Sequence, residues 1–202
     1  MLGRVAAGDA AALDELLAGV RPLMRRVVEV RMDPRLRARV DPSDVVQEAL
    51  VEASRRIRDF LDRRPLPFAL WVRQMAVENL IRLHRFHVGA GKRSVRREFH
   101  LPEDSSIALG RQVLDRGAGP LQGLIDGELA ERVRQAVARL PDADREVLLM
   151  RAFEGLSNQE AAQALGLETS AASQRFGRAV LRLRKLLTDG DPAEGGDDRA
   201  GT

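Results

Sequence analysis

Apolar residues recur at three- and four-residue intervals along most of the chain, and no strand-like alternation appears in its first hundred residues. Between residues 5 and 30, Leu13, Leu16, Leu17 and Val20 form one stripe, and Leu23, Val27 and Val30 continue it. This predicts a helix or helix pair, capped by Asp9, with Pro22 opening the second segment. Asp33-Pro34 and Asp41-Pro42 each set a cap before a proline at the first helical position, where its missing N–H costs nothing. A second helix is predicted from about Pro42 to Phe60, burying Val46, Ala49 or Leu50, Ala53, Ile57 and Phe60. The run RRPLP, residues 63–67, is a loop because its prolines remove donors and force extended backbone before them. A third helix runs from Phe68 to about Phe86, with Phe68, Trp71, Val72, Met75, Leu80 and Leu83 as apolar surface. Periodicity fades over 99–126, which reads as an inter-domain linker with short helical pieces such as Ala108 to Leu114. From Gly127 it returns: Leu129, Val133, Val137 and Leu140 define one helix, and Pro141 starts another with Val147, Leu148, Met150 and Phe153.

The stretch 157–187 carries the sharpest local signals. Ser157 followed by Glu160 is a capping box, in which each side chain accepts from the other residue's backbone N–H. Ala161, Ala162 and Leu165 form an inner face, and Gly166 can take the positive φ that ends a helix. Thr169 is placed to cap a second helix, whose Ala172, Phe176, Ala179, Val180 and Leu183 face inward. Ser170, Ser173, Gln174, Arg175 and Arg178 are left outward. A hydrogen-bonding, cationic helix crossing a small-residue helix suits a DNA major groove, so a helix-turn-helix is preferred over a plain helical hairpin with a solvated basic face.

Composition narrows the chemistry. The 202 residues suffice for one large domain or two small ones, and 44% hydrophobic content supports packed cores. With no cysteine there is no disulfide, thiolate metal site or cysteine nucleophile, and three histidines make a histidine metal site a poor prospect. No cofactor is expected. No apolar run approaches membrane-spanning length and no signal segment opens the chain, so a cytoplasmic protein without membrane insertion is expected. The net charge of +3 hides an asymmetry: Asp189, Asp191, Glu194, Asp197 and Asp198 oppose only Arg199 in the tail, leaving the rest more basic. All 33 basic residues except Lys92 and Lys185 are arginine, the side chain whose planar fork suits phosphates and guanine edges. A GC-rich genome would give the same bias, so placement matters more than number. Arg82, Arg85, Lys92, Arg93, Arg96 and Arg97 cluster with Phe86 and two histidines, as on a nucleic-acid face. Asp44, Gln47 and Glu48 lie near the start of the second helix, where the helix dipole alone could account for the two acids.

In this order, these parts resemble the extracytoplasmic-function (ECF) sigma factors of bacterial RNA polymerase. GDAAALDELLAGVRPLMRRV resembles the opening of their first domain, and DPSDVVQEALVEASRRIRDF its polymerase-binding helix. FALWVRQMAVENLIRLHR with GKRSVRRE resembles the promoter-melting and downstream-element segment. LPDADREVLLMRAFEGLSNQEAAQALGLETSAASQRFGRAVLRLRKLL resembles the domain that reads the upstream element. The likeness spans residues 5–187 apart from the linker.

The resemblance implies an all-α fold of two small helical domains joined by a flexible linker: 1–98, linker 99–126, a helix-turn-helix domain 127–187 and a disordered acidic tail 188–202. It implies that Asp44, Gln47 and Glu48 contact core RNA polymerase. The loop carrying Arg63 and Arg64, and the helix carrying Trp71 and Asn79, would capture an unstacked base of the melted non-template strand, although Trp71 equally suits a plain core position. Arg82, Arg85, Lys92 and Arg93 would hold the downstream element. Thr169, Ser170, Ser173, Gln174, Arg175 and Arg178 would face the upstream element in double-stranded promoter DNA. An anti-sigma factor is left open as a further partner. Two departures stand out. Arg82 replaces a usual aspartate, and Ser173 replaces a usual Lys or Arg, shifting readout toward Gln174. The reading is a transcription initiation factor and not an enzyme. The rivals are a dimeric helix-turn-helix regulator that acts without core polymerase and a DNA-processing enzyme with a helix-turn-helix tail. The first predicts a palindromic site, and the second a serine nucleophile in an α/β domain.

Overall fold

The computed structural model describes residues 1–32, 34–87, 101–114 and 126–189, and every regular element among them is helical. Helix α1 (Leu2–Ala6) leads into α2 (Ala10–Arg31), whose N-cap Asp9 accepts from the Ala12 N–H at 3.0 Å. Pro22 does not divide α2, which runs through it as one 22-residue helix. A short α3 (Pro34–Arg37) precedes α4 (Pro42–Arg55), capped by Asp41 with proline at its first position, as expected. The second predicted helix breaks at Arg56, and α5 (Ile57–Arg63) follows to Arg64, whose left-handed φ of 39° ends it. Helix α6 (Phe68–His87) then packs across both α2 and α4.

These helices enclose one core, in which Met24, Val28, Val45, Ala53, Val72 and Ala76 are fully buried. Trp71 belongs to it. Only 7% exposed, its ring lies 4.8 Å from Phe60 and 5.8 Å from Phe68, centroid to centroid. The role of base capture expected of Trp71 therefore gives way to the core position, because the ring is buried in a three-ring cluster with Phe60 and Phe68, themselves 5.3 Å apart.

The second core assembles on α8 (Asp126–Arg139), α9 (Asp142–Leu148) and the last helix. The expected linker is corrected over part of its length. Residues Glu103–Leu114 form α7, which lies along α8 and sends Leu109 and Val113 into this core. Gly110 makes the approach close: a Cβ there would stand 2.9 Å from Val133 Cγ2 and 3.0 Å from Leu129. The rest of the expected linker and the acidic tail beyond Asp189 lie outside the described residues. Past α9 the chain makes one turn of π-helix, Leu149–Phe153, closed by the Glu154 N–H donating to the Leu149 carbonyl. The helix-turn-helix follows as α10 (Asn158–Leu165) and α11 (Thr169–Thr188).

The two cores meet where Val30 of α2 packs into the second core, through an apolar contact of Leu70, Met150, Leu156 and Ala161, and through a buried charge cluster. The Glu154 side chain is 0% exposed. Its Oε1 accepts from Arg31 Nε at 2.5 Å and its Oε2 from Arg73 Nε at 2.6 Å. Glu146 takes both terminal nitrogens of Arg31, at 2.8 and 3.1 Å, and Arg26 donates to the Glu154 carbonyl at 3.0 Å. Burial pushes the Glu154 carboxyl up, but Arg31 and Arg73 outweigh it and hold the group below the usual glutamate range. With a lowered folded value, the cluster's contribution to stability is present above the ordinary glutamate range and is lost as pH falls through that value.

Two substitutions check this packing. Trp71→Ala should lower unfolding stability by about 3–5 kcal/mol in urea titration, with Trp71→Phe retaining most of it. Gly110→Val should cost about 1–3 kcal/mol by overpacking against Val133, seen as faster hydrogen exchange in α7 and α8.

Candidate nucleic-acid interface

Asp44, Gln47 and Glu48 stand at i, i+3 and i+4 of α4, and all three are exposed on one face. The opposite face, with Val45, Val46, Ala49 and Leu50, is buried in the first core. Gln47 Oε1 accepts from Arg21 on α2 at 3.0 Å. Glu48 reaches α6: its Oε2 accepts from Asn79 Nδ2 at 2.9 Å and its Oε1 from Arg82 Nη2 at 2.5 Å. Arg82 also donates to Asn79 Oδ1 at 2.8 Å. Arg82, standing where the resemblance leads one to expect aspartate, is thus balanced by the carboxylate of Glu48 across the helix pair. Asn79 is 6% exposed and fully engaged in this bridge, so its expected place at the DNA surface is corrected to a strut between α4 and α6.

The outer end of α6 is basic and open. Arg82 and Arg85 are exposed, and between them and Phe86 runs a shallow groove floored by Ile81. Phe86 is 83% exposed, with its ring edge-on to His87 at 4.9 Å. Arg63 and Arg64 are exposed at the end of α5, just before the proline loop. Lys92 and Arg93 lie outside the described residues.

The helix-turn-helix is built by its caps. Ser157 Oγ accepts from the Glu160 N–H at 3.2 Å, and Glu160 Oε2 accepts from the Ser157 N–H at 2.8 Å. Gly166, at a φ of 63°, turns the chain. The expected cap at Thr169 moves by one residue: Glu168 is the N-cap of α11, with no side-chain hydrogen bond of its own. The start of α11 is instead fastened from outside, by Asn158 Nδ2 donating to the Thr169 carbonyl at 2.8 Å. Periodicity could not single out Asn158, since its partner lies across the turn. Further along, the Arg151 guanidinium lies 4.1 Å over the Phe176 ring, and Arg182 pairs with Asp144. These contacts hold α11 at a fixed angle on α9 and α10.

With that angle set, Thr169, Ser170, Ser173, Gln174 and Arg178 are exposed, and Ala172, Ala179 and Leu183 are buried beneath them. Arg175 differs from its neighbours. It is half-buried and lines a cleft between α6 and the helix-turn-helix. Among the described residues no helix is long and apolar enough to cross a membrane, and no group of three or more acidic or histidine side chains could hold a metal ion.

Comparison with known proteins agrees with this geometry. Residues 130–183 match the family model described as sigma-70, region 4, which covers most of α8 through most of α11. The ECF RNA polymerase sigma factor SigD of Mycobacterium tuberculosis (strain ATCC 25618 / H37Rv) is 31% identical over 197 residues, 96% of this chain and 85% of that protein. The RNA polymerase sigma factor CnrH of Cupriavidus metallidurans is 32% identical over 148 residues, 73% of each chain. In fold the chain is similar to CnrH solved in complex with the cytosolic domain of CnrY, with a TM-score of 0.52 at 24% identity over 94% of this chain and 96% of that one. With nearly its whole length matched and the helix-turn-helix in place, the chain belongs to the ECF sigma factors of bacterial RNA polymerase.

Proposed function

We propose that this chain recruits core RNA polymerase through the exposed α4 face of Asp44, Gln47 and Glu48, and sets it on a promoter at two points. The observation that carries the reading is the polar face of α11. Ser170, Ser173, Gln174 and Arg178 project from a helix fixed at both ends by side-chain contacts and capped by no acidic hydrogen bond. That is the presentation a major groove needs, with Gln174 suited to adenine and Arg178 to guanine or phosphate. The second point is the arginine-rich end of α6 with Arg63 and Arg64 beside it, supplying phosphate contacts for the downstream element and its opened strand.

In this reading the protein performs no chemistry, and strand opening draws on binding energy alone. Its two working units are residues 1–98 and the α7–α11 assembly. That CnrH, a relative in sequence, has been solved in complex with the cytosolic domain of CnrY supports a second protein as a further class of partner.

Run-off transcription with purified core polymerase across genomic promoter fragments tests the whole reading, and stimulation of at least one fragment is the expected result. Asp44→Ala with Glu48→Ala should weaken core binding, measured by fluorescence anisotropy, while the fold is retained by circular dichroism. Arg178→Ala should cost about 1–3 kcal/mol of upstream-element binding if it reads a base. An equal loss on random duplex would make it a phosphate contact.

A further inference from the structure

Neither conformation nor packing requires a glycine at position 177, in the middle of α11. Its backbone is ordinary helix, since the described glycines with positive φ are Gly8, Gly155 and Gly166. A Cβ built at 177 would meet nothing within 4 Å among the described residues, whereas one at Gly110 would strike Val133. A glycine inside an exposed helix destabilises it relative to alanine, because the unfolded chain loses more freedom there. Nothing within the chain offsets that loss at 177.

The position lies on the outward face of α11. Ser173 and Gln174 flank it on the preceding turn, and Val180 and Leu181 on the following one. Val180 is half-buried, and Leu181 is 67% exposed although its outward neighbours are polar. Side chains on a helix lean toward its N-terminus, so Val180 and Leu181 lean toward the turn that Gly177 leaves bare. The surface at 177 is therefore a notch one residue wide, with a polar wall at Gln174 and apolar walls at Val180 and Leu181. The backbone groups at its floor are engaged along the helix and offer little to a polar base edge. Among the groups that a major groove presents, the apolar one is the C5-methyl of thymine.

We propose that the notch at Gly177 is a reading position of its own, which admits the methyl group of a thymine beside the base met by Gln174, so that Gly177 and Leu181 set a preference for thymine in the upstream element. This rests on α11 being the helix that reads duplex DNA. A side chain at 177 would fill the notch and hold the helix away from the methyl. Burying one methyl group is worth about fourfold in affinity.

The test uses holoenzyme assembled from the full chain and purified core polymerase, on a promoter that it transcribes. Each thymine of the upstream element, on either strand, is replaced in turn by deoxyuridine, which lacks only the methyl group. At one thymine the exchange should weaken promoter binding by about fourfold. Gly177→Ala moves a methyl from the DNA to the protein. It should weaken binding to the thymine promoter and favour deoxyuridine at that same base. Leu181→Ser should shrink the thymine preference without reversing it. In the free chain Gly177→Ala should raise the melting temperature by roughly a few degrees, because alanine is the better helix former and its Cβ meets nothing. Weaker binding by this variant would then not come from misfolding. A thymine preference that Gly177→Ala leaves unchanged would overturn the proposal. So would indifference to every exchange while scrambling the whole upstream element still weakens binding. If scrambling the element also had no effect, the assignment of α11 itself would fail, and the proposal with it.

Discussion

A carboxylate with no exposure to solvent constrains this molecule more than any other single group. Arg31 and Arg73 hold Glu154 in its charged form in that position, Arg73 is buried against it, and Arg31 is shared between it and the partly exposed Glu146. The three come from α2, α6 and the segment after the π-turn, so their meeting fixes how the two cores face each other. Hydrophobic burial builds each half and, through Val30 and Leu70, part of the contact between them, and the charge cluster adds the directional constraint.

A lighter version of the same device operates within the first half. Glu48 on α4 holds both Asn79 and Arg82 on α6, tying the helix proposed to meet polymerase to the helix proposed to meet DNA. Both ends of the Glu48–Arg82 pair are about half-exposed or more, so it contributes at most about 1 kcal/mol. Its value lies in register: it positions the guanidinium of Arg82 while leaving it available at the surface. Arg85 and Phe86, one turn further on, are exposed.

The parts legible in the sequence are those written in local contacts. The capping box at Ser157 and Glu160, the Gly166 turn and the inward stripe of α11 are all encoded within a few residues of themselves. Periodicity likewise located α6 almost to the residue. It could not tell which polar residues on a helix are buried. Arg73 and Asn79 look like surface positions until α4 and Glu154 arrive from elsewhere in the chain. Helix α7 is legible only in its second half, Ala108 to Leu114, for a related reason. Its Gly110 and serines read as linker chemistry, and only the closeness of α8 reveals that a residue without a side chain is needed there. Trp71 shows the converse: an aromatic ring near a loop and several cations invites a ligand-binding role, and two phenylalanines claim it for the core.

The π-turn at Leu149–Phe153 carries a consequence for how this sequence can change over time. One extra residue in a helical turn rotates everything after it by about 100° relative to a continuous α-helix. Glu154 is the next residue, so its direction depends on the length of the turn rather than on the identity of its members. Side chains at exposed positions nearby are free to drift. A single-residue deletion, which would leave a perfectly regular helix, would swing the carboxylate away from both arginines. This segment is thus a place where lineages can exchange letters but not gain or lose one.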